Sequence, residues 1–282
     1  MPTMMVDGKE MHYLDQGEGF SLLFGHSYLW DCRMWMPQIN ILSQHFRCIV
    51  PDLWGHGRSY PVVSDELNIG MIAESNRKLM QQLEIDRYSI IGLSVGAMWG
   101  AKLAMDYPNE VASLVMMGSY LGAEHEENAA EYAHLLDIVK QMKEVPPAII
   151  DVVSRLFFCS FTEERNPALV ETFRFDLMSL LPEQVSSIVV MGDAIFQRAS
   201  MLERIRDIRC PTLFVVGEGD LARPVSESQE MHELLPDSQL AIIENAGHIT
   251  NLEQPDQVNQ LLANFLTGFD RTKSNLNELV LT

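Results

Sequence analysis

Ser94 stands at the centre of the pentad Gly92-Leu93-Ser94-Val95-Gly96, between the run Arg87–Ile91 and the small-residue run Ala97–Ala101. The pattern predicts strand, sharp turn and helix, with a serine at the apex of the turn. Glycine two residues to either side leaves room for a strained serine backbone and for close helix packing. A serine so placed points its hydroxyl out at the carboxyl end of a sheet, and the next amide opens a helix. The chemistry this implies is nucleophilic attack. A serine hydroxyl attacks poorly near neutral pH unless a base takes its proton, and the base must itself be oriented and its cation stabilised.

Two later segments carry suitable partners. Gly217-Glu218-Gly219-Asp220 follows the strand-like run Leu213–Val216, and Asn245-Ala246-Gly247-His248 follows Leu240–Ile243. Seen alone, an Asp after a strand is usually a helix cap or turn former, and a loop His is usually just exposed. Three such residues in the order Ser, Asp, His, each after its own strand, read together as a catalytic triad. Glu124, beyond the run Val111–Met117, is the rival for the acid; the Gly-x-x-Asp setting favours Asp220. Acyl transfer also needs two backbone donors for the developing oxyanion. One expected donor is the amide of Val95. The other is the amide of Tyr28, in the turn Gly25-His26-Ser27-Tyr28 after the run Leu22–Phe24. His26 reads as a structural histidine fixing that turn.

The elements that must position these residues follow from the hydrophobic pattern. Strands are expected at Met11–Asp15, Ser21–Phe24, Phe46–Val50, Tyr88–Leu93, Val111–Met117, Pro211–Val216 and Gln239–Ile243. Helices are expected at Met34–Gln44, Ile69–Leu83, Val95–Tyr107, Val225–Leu235 and Pro255–Phe265. Short, continuous apolar strands alternating with helices predict a mostly parallel sheet covered on both faces. From about Leu121 to Arg206 the strand signal stops. Only helix-like segments remain, at Asn128–Val145, Pro147–Phe158 and Pro167–Ser200, with interruptions near Pro182 and Gly192. The division expected is a core of residues 1–120 and 207–282 with a helical lid over 121–206. The polar tail after Phe269 reads as loosely held.

Composition narrows the function. The 282 residues are 47% hydrophobic, enough for one large core, and the formal net charge is -19. So acidic a chain argues against nucleic acid or an anionic membrane as partner. No stretch resembles a membrane span or a secretory signal, and Cys32, Cys48, Cys159 and Cys210 show no C-x-x-C spacing. Buried free thiols in a cytoplasmic protein are the expectation, with no metal and no cofactor.

With these residues in view, the chain resembles the α/β-hydrolase superfamily over about residues 10–268, in its lid-bearing esterase and lactonase group. Pro51-Asp52-Leu-Trp-Gly55-His-Gly57-Arg-Ser59 is similar to that superfamily's turn after the fourth strand and reads as loop architecture. The segment Gly25–Trp35 resembles the oxyanion turn of the group that contains the 3-oxoadipate enol-lactonases, with Ser27 where a glycine is commonest. The resemblance implies a serine hydrolase acting on a small carboxylic ester through an acyl-enzyme. A lactonase, a C–C bond hydrolase, a perhydrolase or a slow-turnover ligand receptor are the alternatives. A serine nucleophile excludes the dehalogenase and epoxide hydrolase branches, which use a carboxylate. Trp30, Trp99 and Phe158 are expected to line the acyl pocket. The lid arginines Arg155, Arg174 and Arg198 are expected at the surface, and a homo-oligomer is left open.

Overall fold

The apolar runs of the sequence become the inner strands of one sheet, and Ser94, Asp220 and His248 each follow one of its strands at the carboxyl edge. The computed structural model describes residues 2–267, except Tyr60, Val63 and Asp65. The tail expected to be loosely held lies outside the described residues.

Eight strands, β1 (Thr3–Val6), β2 (Lys9–Gln16), β3 (Ser21–Gly25), β4 (Arg47–Pro51), β5 (Tyr88–Leu93), β6 (Val111–Met117), β7 (Thr212–Gly217) and β8 (Gln239–Ile243), form the sheet. Their order is β1-β2-β4-β3-β5-β6-β7-β8. From β4 to β8 all neighbours are parallel, and only the β1–β2 and β2–β4 pairs are antiparallel. Every residue of β3, β5, β6 and β7 is buried, as strands covered on both faces must be. Edge strand β8 alternates less cleanly and is partly exposed.

One strand escaped the sequence pattern. β1 joins β2 through the two-residue turn Asp7-Gly8, both at positive φ (51° and 79°). Asp-Gly between strands is a strong hairpin signal, because each residue tolerates that backbone. It stands in the sequence beside a run too short and too exposed to read as a strand.

Outside the insertion the helices are α1 (Met36–Leu42), α2 (Ile69–Gln82), α3 (Val95–Asp106), α9 (Val225–Leu234), α10 (Thr250–Glu253) and α11 (Pro255–Leu266). They flank the sheet: α3 packs on β5, β6 and α2, α9 on β7 and β8, and α1 on α11. The helix expected at Met34–Gln44 instead splits into a 3-10 turn, Cys32–Trp35, and α1, with Pro37 in the first turn of α1 where its missing N–H costs nothing.

Between β6 and β7 the chain forms five helices and a short 3-10 segment. These helices are α4 (Glu126–Met142), α5 (Pro147–Phe157), α6 (Ser160–Arg165), α7 (Pro167–Met178) and α8 (Pro182–Phe196). Helix α4 packs on α8, and α5 and α6 pack on α7. Pro182 does separate α7 from α8, but Gly192 does not interrupt anything. It lies inside α8, where a Cβ would come within 2.8 Å of both a Leu136 methyl and the Tyr28 hydroxyl. The glycine is there for close approach, not to end the helix.

Candidate active site

Ser94 occupies the sharp turn between β5 and α3 with φ 56° and ψ −119°, a backbone that a non-glycine residue holds only under strain. Its neighbours hold it there. Its amide donates to the Met117 carbonyl at 2.8 Å, and Ser119 Oγ donates to the Ser94 carbonyl at 2.9 Å. A Cβ on Gly96 would sit 2.1 Å from the Gly25 carbonyl oxygen, and one on Gly92 2.4 Å from the Ala97 nitrogen. A side chain at Gly96 would push α3 away from β3 and one at Gly92 would push it away from β5, which is why glycines flank the serine.

Asp220 and His248 meet at the same edge. Asp220 follows β7, and its Oδ2 lies 2.9 Å from Nδ1 of His248, which follows β8; both side chains are buried. Asp220 Oδ1 accepts from the amides of Ala222 and Arg223 at 2.9 and 2.8 Å, so the carboxylate is fixed on both sides. A carboxylate only accepts, so Nδ1 carries the hydrogen and Nε2 is the nitrogen left for proton transfer. Phe157, at the end of α5, packs its ring against the imidazole at 5.1 Å between centroids.

Ser94 and His248 line one cavity, together with Tyr28, Leu29, Met98 and residues of α4, α5 and α8. The insertion supplies a wall of leucines, valines, isoleucines and aromatic rings, among them Leu136, Val139, Ile149, Val153 and Phe196. Tyr28 belongs to this wall and is tied to the insertion, its hydroxyl donating to the Ile188 carbonyl of α8 at 2.8 Å. Val95, whose amide opens α3, is fully buried beside Ser94.

The turn that carries Tyr28 is held by two neutral histidines. His26 Nδ1 donates to the Ser27 carbonyl at 2.8 Å, and its Nε2 accepts from the Leu53 amide at 2.8 Å. His56 Nε2 accepts from the Leu29 amide at 3.0 Å. Burial lowers the pKa of both, that of His56 to about 3, so each stays uncharged. Asp52 anchors the following turn: it accepts from the amides of Cys32 and Arg58 and meets His12 Nδ1 at 2.6 Å. Donor atoms of His12, Cys32 and Asp52 lie within 4.8 Å of one another. Through these bonds Asp52 ties the Pro51–Ser59 loop to His12 of β2 and to the 3-10 turn at Cys32.

Glu124, the rival acid, turns away from His248. Its carboxylate pairs with Arg198 at 3.2 Å and with Arg223, all three side chains nearly inaccessible. Burial opposes the Glu124 charge, but the two guanidinium groups outweigh it and hold its pKa below the usual value. Arg223 also pairs with Glu227 at 3.3 Å. Burial works against its cation, and the Glu227 and Glu124 carboxylates more than restore it.

Several expected contacts fall elsewhere. Trp99 is wholly buried, and a Cβ on Gly25 would meet its ring at 2.6 Å; it is core beneath β3. Trp30 stacks on Phe173 at 5.0 Å, and Phe158 packs edge-on against both rings. These three are absent from the lining of the Ser94 cavity; Trp30 borders a neighbouring cavity with Asp31, Arg33 and Asp176. Arg155 is exposed and Arg174 pairs with Asp151 at 3.1 Å, whereas Arg198 is buried rather than at the surface. The four cysteines are free thiols, Cys32 and Cys48 buried, Cys159 and Cys210 only partly so. Sequence reasoning missed Arg223, among the described residues the one arginine or lysine of the cavity wall, whose carboxylate partner Glu124 lies 99 residues away.

A family model described as alpha/beta hydrolase fold matches residues 22–255. An Escherichia coli protein named "Putative carbamate hydrolase RutD" is 27% identical over 237 residues, spanning 83% of this chain and 86% of its own. A thermophilic esterase from Thermogutta terrifontis superposes with a TM-score of 0.85 at 26% identity, covering 95% of this chain and 98% of that one. The enol-lactonase from Burkholderia xenovorans gives 0.84 at 25%, covering 94% and 100%.

Proposed function

The chain belongs to the alpha/beta hydrolase fold family, and from that premise we propose that it is a serine hydrolase cleaving small, neutral carboxylic esters. The observation that carries the reading is the buried Asp220–His248 pair, whose His248 lines one cavity with Ser94 on its strained turn. In the first half-reaction His248 Nε2 takes the Ser94 proton as Oγ attacks the acyl carbon. Asp220 holds the ring and stabilises the imidazolium. The amides of Val95 and Tyr28 bind the oxyanion, and their placement beside a helix start and a rigid turn supports this role. His248 then returns the proton to the departing alcohol. Water, activated by the same histidine, releases the acid from Ser94.

The cavity wall supports an apolar acyl group. Among the described residues Arg223 is its one arginine or lysine, and that cation is already paired with two carboxylates. In this reading residues 121–206 are a lid: α4, α5 and α8 roof the cavity and exclude water from the acyl-enzyme. The four free thiols fit a reducing, cytoplasmic setting.

A second reading, hydrolysis of a lactone, rests on the likeness to the Burkholderia enol-lactonase and uses the same residues. A chain-length series of p-nitrophenyl esters beside a small lactone panel separates the two. Multiple turnovers that rise with acyl length support the esterase. A lactone preferred over every ester supports the second reading. A single slow event per protein overturns both in favour of a ligand receptor.

A further inference from the structure

Among the described residues, one carboxylate joins the turn that carries His248 to the insertion. Glu253, the last residue of α10, uses its two oxygens for two different elements. Oε1 accepts from the amides of Gly247 at 2.8 Å and Ile249 at 3.2 Å, the residues on either side of His248. Oε2 accepts from the amide of Cys159 at 3.0 Å and from the Thr162 hydroxyl at 2.6 Å, where α5 gives way to α6. The amide of His248 itself donates to the Phe157 carbonyl at 2.9 Å. The two segments approach so closely that a Cβ on Gly247 would lie 2.7 Å from the Cys159 nitrogen.

We propose that Glu253 is a positioning residue that couples the α5–α6 junction of the lid to the base, so that His248 is held in place only while the lid is seated. Burial pushes the Glu253 carboxyl up while its hydrogen bonds from Thr162, Cys159 and Gly247 pull it back, and those directional bonds span both sides of the imidazole-bearing turn. An acceptor serving both segments transmits displacement of either to the other. The proposal rests on the reading of His248 as the base, but the coupling itself is measurable without turnover.

The test compares wild type, Glu253→Gln, Thr162→Val and the double variant. Hydrogen exchange is followed over residues 157–162 and 245–251, and the rate of fluorophosphonate labelling of Ser94 is followed in parallel. Glutamine at 253 keeps one acceptor oxygen and turns an N–H₂ toward donors, so both segments should exchange faster and labelling should slow about tenfold. Thr162→Val removes a lid hydroxyl that does not touch residues 245–251, yet exchange there should rise and labelling slow about threefold. The double variant should label no more slowly than Glu253→Gln alone. Loosening confined to residues 157–162 in Thr162→Val overturns the proposal, as does a lower melting temperature with labelling unchanged. If wild-type Ser94 fails to label, the serine hydrolase reading falls, and the exchange data alone decide the coupling.

Discussion

Asp220 meets His248 Nδ1 with both carboxylate oxygens, Oδ2 at 2.9 Å and Oδ1 at 3.2 Å, while Oδ1 also takes two amides of its own loop. The Asp220 carboxylate therefore cannot rotate away from the imidazole without breaking its own turn. Glu124, the only competitor by chain position, is committed to Arg198 and Arg223. The two carboxylates thus part into different tasks, and substitution should separate them. Asp220→Asn should cost orders of magnitude in kcat by leaving His248 in the wrong tautomer, with folding intact. Glu124→Gln leaves two buried arginines under-compensated and should cost about 3 kcal/mol of stability, with kcat of the folded protein reduced less than about tenfold. Denaturation midpoints and kcat measured on both variants check the division; the reverse pattern would assign the acid to Glu124.

The neutralised Arg223 predicts substrate charge. Esters with a neutral apolar acyl chain should exceed their carboxylate-bearing counterparts in kcat/KM by about tenfold or more, the equivalent of about 1.4 kcal/mol. The acidic surface should widen that gap at low salt. Carboxylated substrates preferred by the same margin would mean that Arg223 exchanges Glu227 for the substrate.

Gly96 tests the turn that strains Ser94. A methyl there would overlap the Gly25 carbonyl, so Gly96→Ala should cost at least about 2 kcal/mol and most of the activity. A urea midpoint equal to wild type would show that β3 and α3 can separate at no cost.

Buried neutral histidines give stability a pH dependence of definite sign. His56 has its pKa lowered by burial to about 3, whereas in the unfolded chain it binds a proton near pH 6.5. The unfolded state therefore holds the extra proton between those values, and stability falls as pH drops below about 6.5, by about 1.4 kcal/mol per pH unit. His26 adds to the same trend. His56→Gln, which keeps an acceptor for the Leu29 amide, should flatten the decline between pH 6 and 5 in urea titrations. An unchanged slope would mean that His56 is protonated in the folded protein.

What could be read in advance, and what could not, follows from how local each signal is. The turn around Ser94 is encoded within five residues, because glycines must stand where side chains have no room. Asp220 and His248 were legible from their place just beyond apolar runs, which a parallel sheet turns into neighbours on one edge. The inner strands were legible because both their faces are buried; β1, short and half-exposed, was not. Side-chain direction was hidden. Trp99 and Phe158 are as apolar as Leu136 or Phe196, and nothing along the chain says which face core and which face a cavity. Arg223 and Glu253 were missed for a related reason: the partners that tie Arg223 to Glu124, and Glu253 to Cys159 and Thr162, lie 91 to 99 residues away, and only the folded chain brings them together.

The most direct measurement is the mass of the protein quenched during turnover of a neutral p-nitrophenyl ester, with peptide mapping of the adduct. One acyl group, on Ser94, is expected, with a burst of p-nitrophenol and loss of about 10³-fold or more in kcat for Ser94→Ala. Hydrolysis that persists in Ser94→Ala, or an acyl group on any other residue, would contradict the acyl-enzyme at Ser94.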